Sequence, residues 1–227
     1  MGYKYLYQKI GTAGFGKTKS IKIAEELLAN HLKELNYEKV ISRPEGYYMA
    51  DHQKLIRSFS NKASDNQIEK KVLRDGIINN YKKYTIDYEI NIHPRSKQNI
   101  DALFIYDGVL FIGEAKGPRA SGNEPLLKAV LEIETYSRII NSKQLVEEYS
   151  NNLEWVKNNL KSCLIKKAVI LFEDNKNSPM YRQLVQKEYK PIQDLMKELT
   201  IYAIKAEMFY KPNGKIVFFE GFSPSDY

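Results

Sequence analysis

Asn99-Ile-Asp-Ala-Leu-Phe-Ile-Tyr-Asp-Gly-Val-Leu-Phe-Ile-Gly-Glu-Ala-Lys-Gly117 decides how the rest of the chain can fold. Two apolar runs, Ala102 to Tyr106 and Val109 to Ile112, flank the dipeptide Asp107-Gly108. Asp-Gly between such runs predicts a hairpin with a type I′ turn, whose two central residues both need positive φ. A two-residue loop then sets the register. Tyr106 faces Val109, Leu103 faces Ile112, and Asp101 faces Glu114. Side chains alternate along a strand. Asp101, Leu103, Ile105, Leu110, Ile112, Glu114 and Lys116 therefore share one face, and Ile100, Ala102, Phe104, Tyr106, Val109 and Phe111 the other. Both faces are apolar in the middle, which predicts a hairpin at the centre of a sheet covered on both sides.

At the open end two carboxylates oppose each other, with Cβ atoms expected roughly 4.5–5.5 Å apart, and like charges so placed destabilise a sheet. A divalent cation would remove that penalty, because Mg²⁺ takes carboxylate oxygens from a protein while keeping several waters. Lys116, two residues beyond Glu114, adds a point charge able to orient a water or a phosphate oxygen. The set suits attack of a metal-activated water on a phosphodiester.

Asp101 followed by Glu114-Ala115-Lys116 resembles the Asp…(Asp/Glu)-x-Lys signature of the PD-(D/E)xK, or restriction-endonuclease-like, nuclease superfamily. The resemblance is close over the hairpin and looser over residues 64 to 173. Ile100 stands where the name of the signature has Pro. The resemblance implies metal binding by Asp101, Glu114 and the Ala115 carbonyl, with Mg²⁺ or Mn²⁺ as cofactor, and assistance to the nucleophile by Lys116. It also implies a glutamate from the helix before the first core strand, for which Glu69 is the candidate; a glutamate near a helix N-terminus is equally a solvated, dipole-favoured residue. Some members carry Gln-x-x-x-Tyr on the helix after the hairpin. Glu132-x-x-x-Tyr136 is similar, with Glu for Gln, and would form a second shell around the site; four residues apart, the two share a helix face.

Composition frames this reading. The 227 residues suffice for one large domain or a domain with an appendage. A net charge of +7 and 17 tyrosines suit a polyanionic partner, with bases stacking on rings and phosphates held by lysines. The same abundance also follows from genomic composition. The single cysteine, Cys163, allows no intramolecular disulfide and fits a reducing cytoplasm. Met1 to Tyr7 does not read as a signal peptide, and apolar runs such as Ala168 to Phe172 are far too short to span a bilayer, so no membrane partner is expected.

In chain order, Gly11-Thr-Ala-Gly-Phe-Gly-Lys-Thr18 satisfies the P-loop pattern G-x-x-x-x-G-K-[ST]. The preceding Tyr3 to Ile10 alternates with Lys and Gln, unlike the continuous apolar run of a buried parallel strand. A helix is predicted over 20–35 on Ile21, Ala24, Leu28, Leu32 and Leu35. A turn follows at Arg43-Pro-Glu-Gly46 within an irregular 36–63. Ser64-x-x-Gln67 is a capping box that starts a helix to about Tyr81. Tyr84 to Ile92 alternates and predicts a strand with one buried face. His93 lies in a loop, with Arg95 and Lys97 as phosphate contacts. Arg119, in the loop Gly117 to Gly122 beside Lys116, is a third. Asn123 caps the next helix, with Pro125 in its first turn. Gln144 to Leu160 reads as one helix anchored by Trp155 and Leu160, Lys167 to Phe172 as an interior strand ending in Glu173-Asp174, and 180–199 as helix interrupted at Pro191. Ile201 to Tyr210 and Ile216 to Phe219 form a last hairpin, and Ser223 to Tyr227 a frayed tail.

The expected fold class is α/β: a mixed central β-sheet flanked by helices, with a restriction-endonuclease-like αβββαβ core over 64–227 and an N-terminal arm and helical extension over 1–63. The expected function is metal-dependent phosphodiester hydrolysis in nucleic acid, with DNA as the substrate, by a protein acting as a homodimer or as the subunit of a larger system. The alternatives are a P-loop nucleotide-binding protein using Gly11 to Thr18, or a nuclease-fold subunit that binds nucleic acid without cutting it.

Overall fold

The computed structural model describes residues 16–30, 40, 43–53, 85–92, 99–116, 125–171, 179–205 and 216–227. The predicted helix over 64–81, with Glu69, lies outside the described residues, as do Arg95, Lys97 and Arg119.

Helix α1 (Lys17–Ala29) precedes a meander of β1 (Thr85–Asn91), β2 (Asn99–Tyr106) and β3 (Val109–Lys116). Then come α2 (Leu126–Ile139), α3 (Ser142–Asn152), α4 (Glu154–Asn159), β4 (Ile165–Leu171), α5 (Pro179–Val185), α6 (Lys190–Glu198), β5 (Ile201–Lys205) and β6 (Val217–Phe218). The protein is a mixed α/β fold whose described strands form a six-stranded sheet in the order β1-β2-β3-β4-β5-β6. The meander is antiparallel, β3, β4 and β5 run parallel, and β6 returns antiparallel. Parallel neighbours need a crossover, supplied here by the helices between β3 and β4 and between β4 and β5.

The hairpin follows the predicted register. Tyr106 pairs with Val109, Leu103 with Ile112 and Ala102 with Gly113. Asp107 (φ 48°) and Gly108 (φ 75°) both take the left-handed conformation that a type I′ turn requires. Leu103, Ile105, Leu110 and Ile112 pack on the helices, while Ala102, Phe104 and Phe111 join Ala168, Ile170, Tyr202 and Ile204 on the opposite face. Every helix from α1 to α6 contributes to the first of these clusters. Ile100 departs from the predicted face: with its partner Ile90 it packs in the helix-side cluster. Glu89, next to Ile90, has a positive φ of 49°, a local irregularity in the backbone of β1.

Other expectations need correction. Strand β1 is buried on both faces, and Asp87 is fully enclosed. A register shift between Thr85 and Asp87 breaks the simple alternation. Helix α1 starts at Lys17 and buries Ser20, Ala24 and Leu27. The predicted single helix over 144–160 is two, separated by Leu153 in extended conformation; Leu145, Val146, Tyr149 and Val156 are buried, and the predicted anchors Trp155 and Leu160 pack half-buried against the same core. Pro191 sits in the first turn of α6, where its missing N–H costs nothing, and so begins that helix instead of interrupting one. Pro125, not Asn123, is the residue before α2, whose first amide (Leu126) is capped from afar by Gln183 Oε1 at 2.8 Å. The tail is tied down: Ser223 and Asp226 form a capping box, and the Tyr227 hydroxyl donates to the Ile201 carbonyl at 3.0 Å.

Candidate functional site

The β2–β3 ladder ends at Ala102–Gly113. Beyond it the strands part. β2 continues on β1, through Ile90–Ile100 and Asn91–Asn99. β3 continues on β4, through Glu114–Val169, Ala115–Ile170 and Lys116–Leu171. Asp101 and Glu114 are the next residues on the two strands, at the mouth of this fork, and the charge of Asp101 reaches Glu114. The Ala115 amide, which has no β2 carbonyl to reach, donates to Asp101 Oδ2 at 2.8 Å. A side chain here replaces the ladder that the fork interrupts.

Glu114 and Lys116 are buried, on the face covered by α2. Lys116 Nζ donates to Glu114 Oε1 at 2.7 Å and to Glu132 Oε2, from α2, at 3.1 Å. One turn earlier on α2, Lys128 Nζ lies 3.7 Å from Glu132 Oε1. Asp101, Glu114 and Glu132 thus face Lys116 and Lys128. Burial pushes Asp101 from its usual 3.8 up to about 6, against the opposing pull of Lys116 and the Ala115 amide. Burial, then the neighbouring charge of Asp101, holds Glu114 well above the ordinary glutamate range, with Lys116 again pulling the other way. Both carboxylates therefore resist ionisation, Asp101 mainly through burial and Glu114 through burial and the charge of Asp101.

The structure thus brings together Asp101, Glu114, Ala115, Lys116 and Glu132. Tyr136 is buried in the helix-side core one turn beyond Glu132. Two residues here were not picked out from the sequence. Lys128 was legible as an i,i+4 partner of Glu132 on a helix. Glu89 falls opposite Asp101, between the pairs Tyr88–Ala102 and Ile90–Ile100, and its charge adds to the upward shift of Asp101. No sequence signal places it there, because the link between β1 and β2 is not a two-residue turn that fixes register.

Among the described residues, no group of three or more histidine, cysteine, aspartate or glutamate side chains is arranged to hold a metal ion. The donor set is two carboxylates with a backbone carbonyl beside them. That chemistry fits a hard divalent cation which keeps several waters, as Mg²⁺ does. Of the P-loop-like stretch, Gly16 to Thr18 is described. Gly16 precedes α1, and the lysine that such a loop would direct at phosphate is engaged elsewhere: Lys17 Nζ lies 2.6 Å from Glu188 Oε1 and 5.2 Å from the centre of the Tyr189 ring. No described helix is long and apolar enough to cross a membrane. Compared with protein-family models, curated proteins and solved structures, the chain matches none.

Proposed function

We propose that the protein is a metal-dependent nuclease of the restriction-endonuclease-like type, hydrolysing phosphodiester bonds in DNA at the β2–β3 fork. The observation that carries this reading is Asp101 and Glu114 at the mouth of the fork, both with raised pKa values, beside the buried ammonium of Lys116. Three antiparallel strands followed by helices and a parallel strand support the βββαβ part of such a core. The net charge of +7 supports a polyanionic substrate.

Asp101, Glu114 and the Ala115 carbonyl would hold Mg²⁺ or Mn²⁺. When bound, the cation supplies charge neutralisation at the phosphodiester and acidifies the attacking water. The chain does the rest. The Ala115 amide fixes Asp101 in one orientation. Glu132 also holds the Lys116 ammonium, so Lys116 keeps a partner when Glu114 turns to another. From there Lys116 donates a hydrogen bond to the attacking water or to a non-bridging phosphate oxygen.

The test is a cleavage assay with Mg²⁺ or Mn²⁺ on plasmid, linear duplex, single-stranded DNA and RNA. Cleavage that is lost in Lys116→Ala and on chelation supports the reading and identifies the substrate. Binding of DNA without cleavage, by protein that also binds the metal, would replace it with a binding role.

A further inference from the structure

A second polar cluster lies one strand away from the fork and plays no part in the proposed chemistry. Asp87, on β1, is fully enclosed, yet its carboxylate is well supplied with partners. Oδ1 accepts from His52 Nδ1 at 2.8 Å and from the Tyr88 amide at 2.7 Å. Oδ2 accepts a hydrogen bond from the Tyr149 hydroxyl of α3. His52 closes a short 3₁₀ turn, Ala50–Gln53, whose internal bond runs from the His52 amide to the Met49 carbonyl at 3.0 Å. The imidazole stacks on Tyr88, with ring centres 4.5 Å apart. It is thus enclosed between a carboxylate and an aromatic face.

The segment before this turn is held by different means. Gln144 Nε2 donates to the Arg43 carbonyl at 2.6 Å, and Gln144 Oε1 accepts from the Arg43 amide at 3.1 Å. Glu148 Oε2 accepts from the amides of Tyr47 and Tyr48. Residues 43–48 therefore dock on α3 without His52. Residues 50–53 meet β1 through it.

We propose that His52 is a proton-dependent latch: its imidazolium clamps the turn Ala50–Gln53 onto the buried carboxylate of Asp87, and loss of the proton releases that turn. Burial alone would lower the His52 pKa. The hydrogen bond and charge of Asp87, the charge of Glu89 and a backbone bond at Tyr88 outweigh it and hold the imidazole above its ordinary 6.5. A neutral ring can donate only one hydrogen bond, so deprotonation costs the latch both an ion pair and a donor. The other charged or titratable groups on the elements packed together here are Tyr88 and Glu89 on β1, Glu148 and Tyr149 on α3, and Arg43, Glu45, Tyr47 and Asp51 in the segment itself; of these Tyr88 stacks on the imidazole and Glu89 acts on it by charge. Burial and the Asp87 charge keep the Tyr149 hydroxyl well above its usual range, so it stays protonated while His52 titrates. With a raised folded pKa, the stabilisation is fully present below about 6.5 and is lost as pH rises through the folded value. The latch is independent of the nuclease reading.

Amide hydrogen exchange of the full chain at about pH 6 and about pH 9, corrected for intrinsic rates, tests it. The His52-turn amides should lose protection by up to about tenfold for each unit by which the folded pKa exceeds the unfolded one. The Tyr47 and Tyr48 amides, held by Glu148, should not change over the same range. His52→Gln should leave the turn unprotected at both pH values. Equal protection of the wild-type turn at both pH values would overturn the latch, as would a His52→Gln protein that keeps the wild-type pH dependence. Should that variant fail to fold, the wild-type imidazole titration followed by NMR decides. A His52 midpoint above 6.5 supports the latch, and one at or below 6.5 overturns it.

Discussion

Asp87 and Asp101 sit on adjacent strands, both facing the helix layer, and their surroundings differ. Asp87 accepts from His52, Tyr149 and the Tyr88 amide, and nothing about it asks for a further ligand. Asp101 has the Ala115 amide but faces Glu114, whose close cation, Lys116, is shared with Glu132. A satisfied buried carboxylate fastens the fold, because removing a partner leaves an uncompensated charge. Asp101 and Glu114 instead resist ionisation, chiefly through burial and for Glu114 also through the charge of Asp101, an unfavourable state that a cation would relieve. Under the proposed function, Asp87 serves structure and Asp101 serves binding.

The comparison can be broken most forcefully through Lys116. Lys116→Ala should lower DNA cleavage by at least about 10²-fold, the scale of a positioned proton-transfer group, in a protein that still gives the wild-type far-ultraviolet circular dichroism. Residual cleavage near the wild-type rate would remove Lys116 from the chemistry. Asp87→Leu should have its effect on stability instead. It strands His52 and the Tyr149 hydroxyl and should cost about 3–5 kcal/mol in urea unfolding. A loss below about 1 kcal/mol would show that Asp87 fastens nothing.

Asp101→Asn sharpens the contrast because it should move stability the other way. Asp101 has its folded pKa raised from 3.8 to about 6. The folded state therefore binds the proton more tightly, and its stability falls as pH rises between those values. The amide removes that penalty. Metal-free Asp101→Asn should be more stable than wild type at pH 7 by about 1–3 kcal/mol, with the gain vanishing below about pH 4, in thermal unfolding followed across pH. A destabilised variant at neutral pH would mean that Asp101 is held as Asp87 is. The smallest expected effect is at the turn. Gly108 has φ 75°, and an added Cβ would press on Cβ, Cγ and Cδ of Lys161, whose amide is bonded to the Gly108 carbonyl. Gly108→Ala should cost at least about 1–2 kcal/mol through the left-handed backbone, with the clash adding to it, and should leave the site's chemistry intact.

The two carboxylates were not equally legible. The Asp101 site could be read because Asp107-Gly108 fixes the register locally, and a fixed register carries Leu103, Ile112 and the facing carboxylates with it. The fork itself could not be read, since it depends on β2 and β3 leaving each other for β1 and β4. Glu132 could be placed on a helix face with Tyr136, but its approach to Lys116 depends on how α2 lies over the sheet. Nothing local marks Asp87 as buried. Its partners, His52 and Tyr149, lie 35 and 62 residues away, and the irregularity that turns β1 has no Gly or Pro to announce it. Helix breaks were misread for a similar reason: Leu153 is extended with no breaker residue, whereas Pro191, a strong breaker in mid-helix, begins one.

The most direct test of the central claim is calorimetric titration of the metal-free protein with Mn²⁺, at about pH 7.5 and about pH 5, on wild type and Glu114→Gln. The account predicts binding at the higher pH with release of protons, because ligand carboxylates must ionise. It predicts weaker binding at the lower pH, where Asp101, titrating near 6, holds its proton, and no comparable binding in Glu114→Gln. A folded wild-type protein that binds no Mn²⁺ at either pH, or a Glu114→Gln variant that binds as wild type does, would contradict it.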